Sequence, residues 1–137
     1  MRALRELTGI VEQLSQAVSF QDAVDRFVRW ARTFTRCQAA VLRLIEEGES
    51  GSWLAAVRLD GTSPAFARDE TLVDTAECIC GRVASGSVDS SLPFFTAGGS
   101  FYWGRVGTIA QDFSPDKLGA VRGRCIRERY ESVAVFP

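Results

Sequence analysis

The chain has 137 residues, 46% of them apolar, which gives room for one domain around a single well-packed core. Its 16 basic and 17 acidic residues cancel to a net charge of -1 with neither sign gathered into a long run, so binding of nucleic acid or an acidic membrane through bulk charge is excluded. Histidine is absent, which removes histidine general-base catalysis, Ser-His-Asp and Cys-His arrangements, and the usual axial ligand of a haem.

The N-terminus, Met1-Arg2-Ala3-Leu4-Arg5-Glu6-Leu7, carries charges where a signal peptide needs its apolar run, and no stretch reaches the roughly 18 apolar residues of a membrane helix. A cytoplasmic domain without membrane contact is expected. In that compartment the cysteines point to thiols, a metal or redox chemistry before structural disulfides. Leu4, Leu7, Val11, Leu14 and Val18 recur at steps of three and four, which predicts a helix with one apolar stripe, and residues 1–18 read as a packing or dimerisation arm. Ser19 is the expected N-cap of a second helix from Phe20, whose broader apolar face (Phe20, Val24, Phe27, Val28, Phe34) reads as core.

From Cys37 the period changes. Residues 37–45 and 52–59 read as two strands joined by the turn-forming cluster Glu46 to Gly51, hence an antiparallel hairpin, with Cys37 in the core. Residues 60–76 read as a loop with a short helix about Thr71 to Thr75. Gly81 to Gly86 suits a short helix ended by glycine. Pro93 to Trp103 is an aromatic segment broken by Gly98-Gly99, and Ser114-Pro115-Asp116 is a strong helix start after which Leu118, Val121 and Cys125 fall on one inward face. Tyr130 to Pro137 is an apolar strand with nothing after it to cover its edge, so the chain is expected to be a fragment or to be completed by a partner.

The cysteine-bearing stretch from Glu77 to Tyr130 holds the candidate site. Cys78 and Cys80, two apart, would share a face in an extended segment, and Cys125 could approach them. Three thiolates could take zinc or another soft metal, form a redox pair with a resolving thiol, or anchor a thiol-reactive ligand; small buried side chains are the plain alternative. Phe94, Phe95, Phe101 and Trp103 either line a pocket for an apolar or planar ligand or form core. Arg122 and Arg124 belong to a run with Arg127 and Arg129 that reads first as a solvated face; either one beside Cys125 would raise its thiolate fraction.

The order of elements, the segment Cys80-Gly81-Arg82-Val83-Ala84-Ser85-Gly86, the segment Leu92-Pro93-Phe94-Phe95-Thr96, and the run from Arg124-Cys125 to Tyr130-Glu131-Ser132-Val133-Ala134-Val135-Phe136-Pro137 together resemble GAF domains of bacterial and archaeal sensor proteins. The resemblance implies an α+β fold: an antiparallel sheet with the N-terminal helices on one face and a pocket roofed by loops and short helices on the other, truncated after Pro137. It implies a single sensory domain over 1–137 that forms a homodimer through its terminal helices, binds a small molecule or responds to redox state without a required cofactor, and signals to an effector such as a histidine kinase. GAF-fold reductases of free methionine sulfoxide, in which Cys80 and Cys125 would act as the thiol pair, are the enzymatic alternative. A structural dimerisation domain with a packed interior is the third.

Overall fold

A computed structural model describes all residues from Met1 to Pro137 and shows an α+β protein of seven helices and five strands. The chain divides into two compact units, residues 1–44 with 56–68 and residues 45–55 with 69–137, rather than closing around one core.

In the first unit, helix α1 (Arg2–Ser15) lies against helix α2 (Phe20–Thr35). Ser19 caps α2 as its sequence predicts, its hydroxyl accepting from the Asp22 amide at 3.1 Å, a contact worth about 1 kcal/mol. The apolar face of α2 is only partly used: Val24 and Val28 are buried, whereas Phe20, Phe27 and Phe34 stay exposed. Strands β1 (Ala40–Gly48) and β2 (Gly51–Asp60) form the expected hairpin, with the turn reduced to Glu49-Ser50; the hairpin runs through both units, its residues 45–55 belonging to the second. Cys37 precedes β1 and is exposed, contrary to its assignment to the core, because the chain leaves α2 through Arg36 in the left-handed region (φ 55°) and is still irregular at 37. Helix α3 (Pro64–Asp69) starts at Ser63-Pro64, where the serine hydroxyl accepts from the Phe66 amide at 3.0 Å.

In the second unit, residues 72–74, expected to be helical, form strand β3 (Leu72–Asp74), which pairs antiparallel with β2 in the register Leu54 to Val73. Helix α4 (Ile79–Ala84) ends in Gly86 at φ 72°, with the Ser87 amide on the Arg82 carbonyl and the Gly86 amide on the Val83 carbonyl, the left-handed glycine termination the sequence suggested. Strand β4 (Phe101–Trp103) pairs with β5 (Val133–Val135), Tyr102 opposite Ala134. The final strand therefore has a neighbour within the chain, which the sequence did not reveal. The antiparallel sheet is thus in two pieces, β1-β2-β3 and β4-β5.

The single helix expected from Ser114 is broken. A 3-10 turn at 106–108 and helix α5 (Ile109–Asp112) come first, then α6 (Pro115–Leu118) and α7 (Arg124–Arg127). Gly119 and Gly123, at φ 68° and 75°, occupy the left-handed backbone that separates α6 from α7. The core of this unit is Ile79 and Val83 from α4, the aromatic segment, and Val106, Ile109 and Leu118 from the short helical turns.

Gly81 lets α4 approach the Thr75 carbonyl so closely that any Cβ at position 81 would overlap it, while a Cβ at Gly86 meets open space. Gly81→Ala is therefore expected to lose about 2 kcal/mol or more through overpacking, and Gly86→Ala about 1 kcal/mol from its positive φ alone. Urea unfolding of the two variants checks the order; equal losses would mean that α4 can shift away from Thr75.

Candidate functional site

Cys78 and Cys80 flank the first residue of α4. Cys78 has extended backbone (φ -148°, ψ 162°) and is 9% exposed; it joins Leu54 and Val73 in a small cluster against which Cys80 and Ala84 pack. The two cysteines thus converge on one cluster, through a helix start rather than an extended segment. Cys125 lies on α7, half-buried and outside that cluster, with its carbonyl accepting from the Tyr130 amide at 3.3 Å. All four cysteines are thiols. No group of three or more His, Cys, Asp or Glu side chains is gathered as a metal ion would require, so Cys78, Cys80 and Cys125 do not form a ligand set.

The aromatic candidates are interior. Phe94 and Phe101 are 1% and 2% exposed, Phe95 is buried, and Trp103 is half-buried against them. Phe94 meets the rings of Phe95 at 5.0 Å and Phe113 at 4.9 Å, both edge to face, and Trp103 meets Phe113 at 4.9 Å. Trp103 Nε1 is buried there without a hydrogen-bond partner. These side chains pack against one another as core.

The arginines hold backbone and carboxylates. Arg122 donates through Nε to Glu70 at 2.7 Å, through one Nη to Glu77 at 2.9 Å and through the other to the Asp69 carbonyl at 2.9 Å. Glu70 is 6% exposed, the one buried charged residue. Its hydrogen bond, opposed by partial burial and aided by the charges of Glu70 and Glu77, holds the Arg122 guanidinium above its already high pKa. Arg124 bridges Glu128 at 2.7 Å and Asp69 at 3.1 Å, with its Nε buried and unbonded. Arg122 and Arg124 thereby fasten the 122–128 segment to residues 69–77. Arg82, on α4, lies over the Phe95 ring and donates to the Leu118 carbonyl at 2.7 Å, closing the end of α6.

One cleft opens where none was foreseen. It has a volume of about 430 Å³, open to solvent, with Ile126 and Tyr130 on its floor and Arg105, Thr108, Arg129 and Glu131 around it. The Val106 amide donates to the Glu131 carbonyl at 2.9 Å, joining the two sides of the cleft. Burial, the Glu128 charge and Cys125, opposed by Arg124, push the Tyr130 phenol above its ordinary pKa. Of these residues the sequence marks Arg129, as part of an arginine run, and Tyr130 and Glu131, at the start of the final apolar segment; the structure splits the arginine run by partner. Arg105, two positions after the aromatic segment ends at Trp103 and nine before the helix start at Ser114, carries no motif that would have marked it.

Comparison with family models, with curated proteins and with solved structures returns no match for this chain. No helix is long and apolar enough to cross a membrane.

Arg122→Met removes the closest cation from buried Glu70 and is expected to cost about 2–4 kcal/mol, read by thermal or urea unfolding; a loss under about 1 kcal/mol would show that the pair acts like an exposed surface bridge. Thiol labelling should follow exposure, Cys37 first and buried Cys78 last, so Cys37→Ser removes the fast phase of reaction with an aromatic disulfide. A fast phase that survives that substitution would place the accessible thiol at α4 or α7.

Proposed function

We propose that the chain is a GAF-like regulatory module of a signal-transduction protein, which pairs with a second copy of itself through α1 and passes a change in bound small molecule or thiol state to an effector such as a histidine kinase. The observation that carries this reading is the uncovered stripe on α1. Ile10 is buried and Leu14 half-buried, while Leu4, Leu7 and Val11 are 67%, 47% and 64% exposed. The helix therefore has two apolar edges, and α2 covers one of them. Val18 and Phe20, also exposed, extend the apolar surface into the connection to α2. A contiguous patch of this kind marks an interaction surface, and two-fold pairing covers it in both copies with one self-complementary contact. The succession of two helices, a hairpin, a glycine-bearing short helix and a late apolar strand supports the GAF-like assignment.

A second reading, a structural dimerisation domain, is favoured by the aromatic cluster, in which Phe94 is 1% exposed and packed among other rings. No observation of comparable weight favours the enzymatic alternative: Cys80 packs with Cys78 at the start of α4, and Cys125 lies on α7.

Native mass tests the pairing. Light scattering of the eluting protein is expected to give twice the 15.0 kDa chain mass. Leu7→Glu combined with Val11→Glu should give a folded monomer, because both side chains are exposed within the single chain, and its melting temperature should lose the dependence on protein concentration that pairing gives the parent. A monomeric parent chain at high micromolar concentration sinks the reading. A shift in native mass or stability on mild thiol oxidation favours a sensor over a purely structural dimer.

A further inference from the structure

The geometry points to the cleft beside α7 as a binding site for a small monoanionic carboxylate with a flat apolar body. This deepens the regulatory reading, on which its use as a signal rests, although the binding itself does not depend on pairing through α1.

Charge selects the ligand. Arg105 and Arg129 edge the cleft and neither guanidinium has a carboxylate or carbonyl partner, in contrast to Arg122 and Arg124, whose partners are all internal. Glu131 is the one acid on the rim, so two cations and one anion leave a surplus of one positive charge (2 - 1 = 1), suited to a monoanion and not to a dianion. A planar guanidinium offers a carboxylate two parallel donors, the pairing for which its geometry is best adapted. The nearby acid Asp112 is engaged by the Thr108 hydroxyl at 2.9 Å, and Glu128 by Arg124.

The floor selects the body. Ile126 and Tyr130 are half-buried and both pack against the aromatic core, so each presents a fixed apolar surface on which a ring can lie. The walls are held by backbone. The Arg105 carbonyl accepts from the Thr108 amide at 3.0 Å and from its hydroxyl at 3.2 Å, and the Val106 amide ties this turn to Glu131.

Arg129 supplies the second line of argument. The Arg129 amide bonds the Ile126 carbonyl and the Tyr130 amide bonds the Cys125 carbonyl, the double closure of a left-handed helix termination, with Arg129 itself at φ 59°. Glycine occupies the equivalent place after α4, at Gly86, and would serve the backbone better here also. The arginine side chain at this position satisfies no internal group; the residue is exposed and lines the cleft.

Amide-resolved NMR titration of the full chain with sodium benzoate tests the assignment, with benzamide as the neutral analogue and inorganic phosphate as the alternative anion. Benzoate is expected to give saturable shifts confined to residues 105–108 and 126–131, with benzamide and phosphate each at least tenfold weaker. Arg105→Gln and Arg129→Gly should each weaken benzoate about tenfold, the loss of one charge-assisted contact. Arg129→Gly should also melt at or above the parent temperature, since it relieves the left-handed backbone; if it fails to fold, Arg105→Gln carries the test. Absence of saturable shifts, benzamide binding as tightly as benzoate, or phosphate binding more tightly would each overturn the inference. Benzoate binding in a chain that is monomeric by native mass would leave the inference standing while removing the pairing reading.

Discussion

The ring of Phe94 is the interaction on which the second unit depends. It is 1% exposed and touches four other aromatic rings, those of Phe95, Phe101, Trp103 and Phe113. Each of the elements around it is too short to stand alone. Strands β4 and β5 have three residues each, and α5, α6 and α7 four each, well below the length at which a helix or a two-stranded ribbon persists in water. What fixes them is that every one contributes an apolar side chain to the same pile: Phe101 from β4, Val135 from β5, Ile109 from α5, Leu118 from α6 and Ile126 from α7. Burial of rings this large, at roughly 2–3 kcal/mol each before specific ring geometry is counted, offsets part of the ordering cost of so many turns.

Charge then does what propensity cannot. The segment 119–123 has no regular hydrogen bonding of its own, and it is held by Arg122, which bonds three groups of residues 69–77, and by Arg82, which accepts no freedom of position because its guanidinium lies over Phe95 and reaches the Leu118 carbonyl. Glu70 is the partner that makes this more than surface decoration. A carboxylate 6% exposed must be met by a cation, and Arg122 meets it at 2.7 Å. Here a run of arginines at helical spacing serves as a clasp between distant stretches of sequence.

Legibility followed the range of the forces involved. The helix pair α1 and α2, the Ser19 cap, the hairpin and the Gly86 termination are each written within a few residues, and all were readable. What escaped was settled by contacts across the chain. Residues 72–74 have little strand signal and become β3 because β2 offers a free edge at Leu54. The helix start at Ser114 was genuine, yet Gly119 and Gly123 end it, since the backbone must turn there for Arg82 to reach Leu118. For the site, Cys78 and Cys80 converge on one cluster, but through the start of α4 and not through the extended spacing read from the sequence, and Cys125 falls on the separate short helix α7 because the helix expected from Ser114 is broken. The aromatic segment was readable as apolar but not as core or pocket, because that choice depends on whether the rings meet one another.

The same logic explains why the chemistry left over lies at the edge of the second unit and not in its middle. Interior groups here are saturated: rings by rings, Glu70 by Arg122, the end of α6 by Arg82. An interior saturated in this way has stability but little left to offer a ligand, apart from isolated atoms such as Trp103 Nε1. Donors with unspent capacity therefore have to sit where water can solvate them until something replaces it. Arg105 and Arg129 are of that kind: exposed, flanking a floor whose rigidity comes from the aromatic pile beneath it. A rigid apolar floor and solvated cations at its rim divide the work of recognition between shape, supplied by the core, and charge, supplied by the surface.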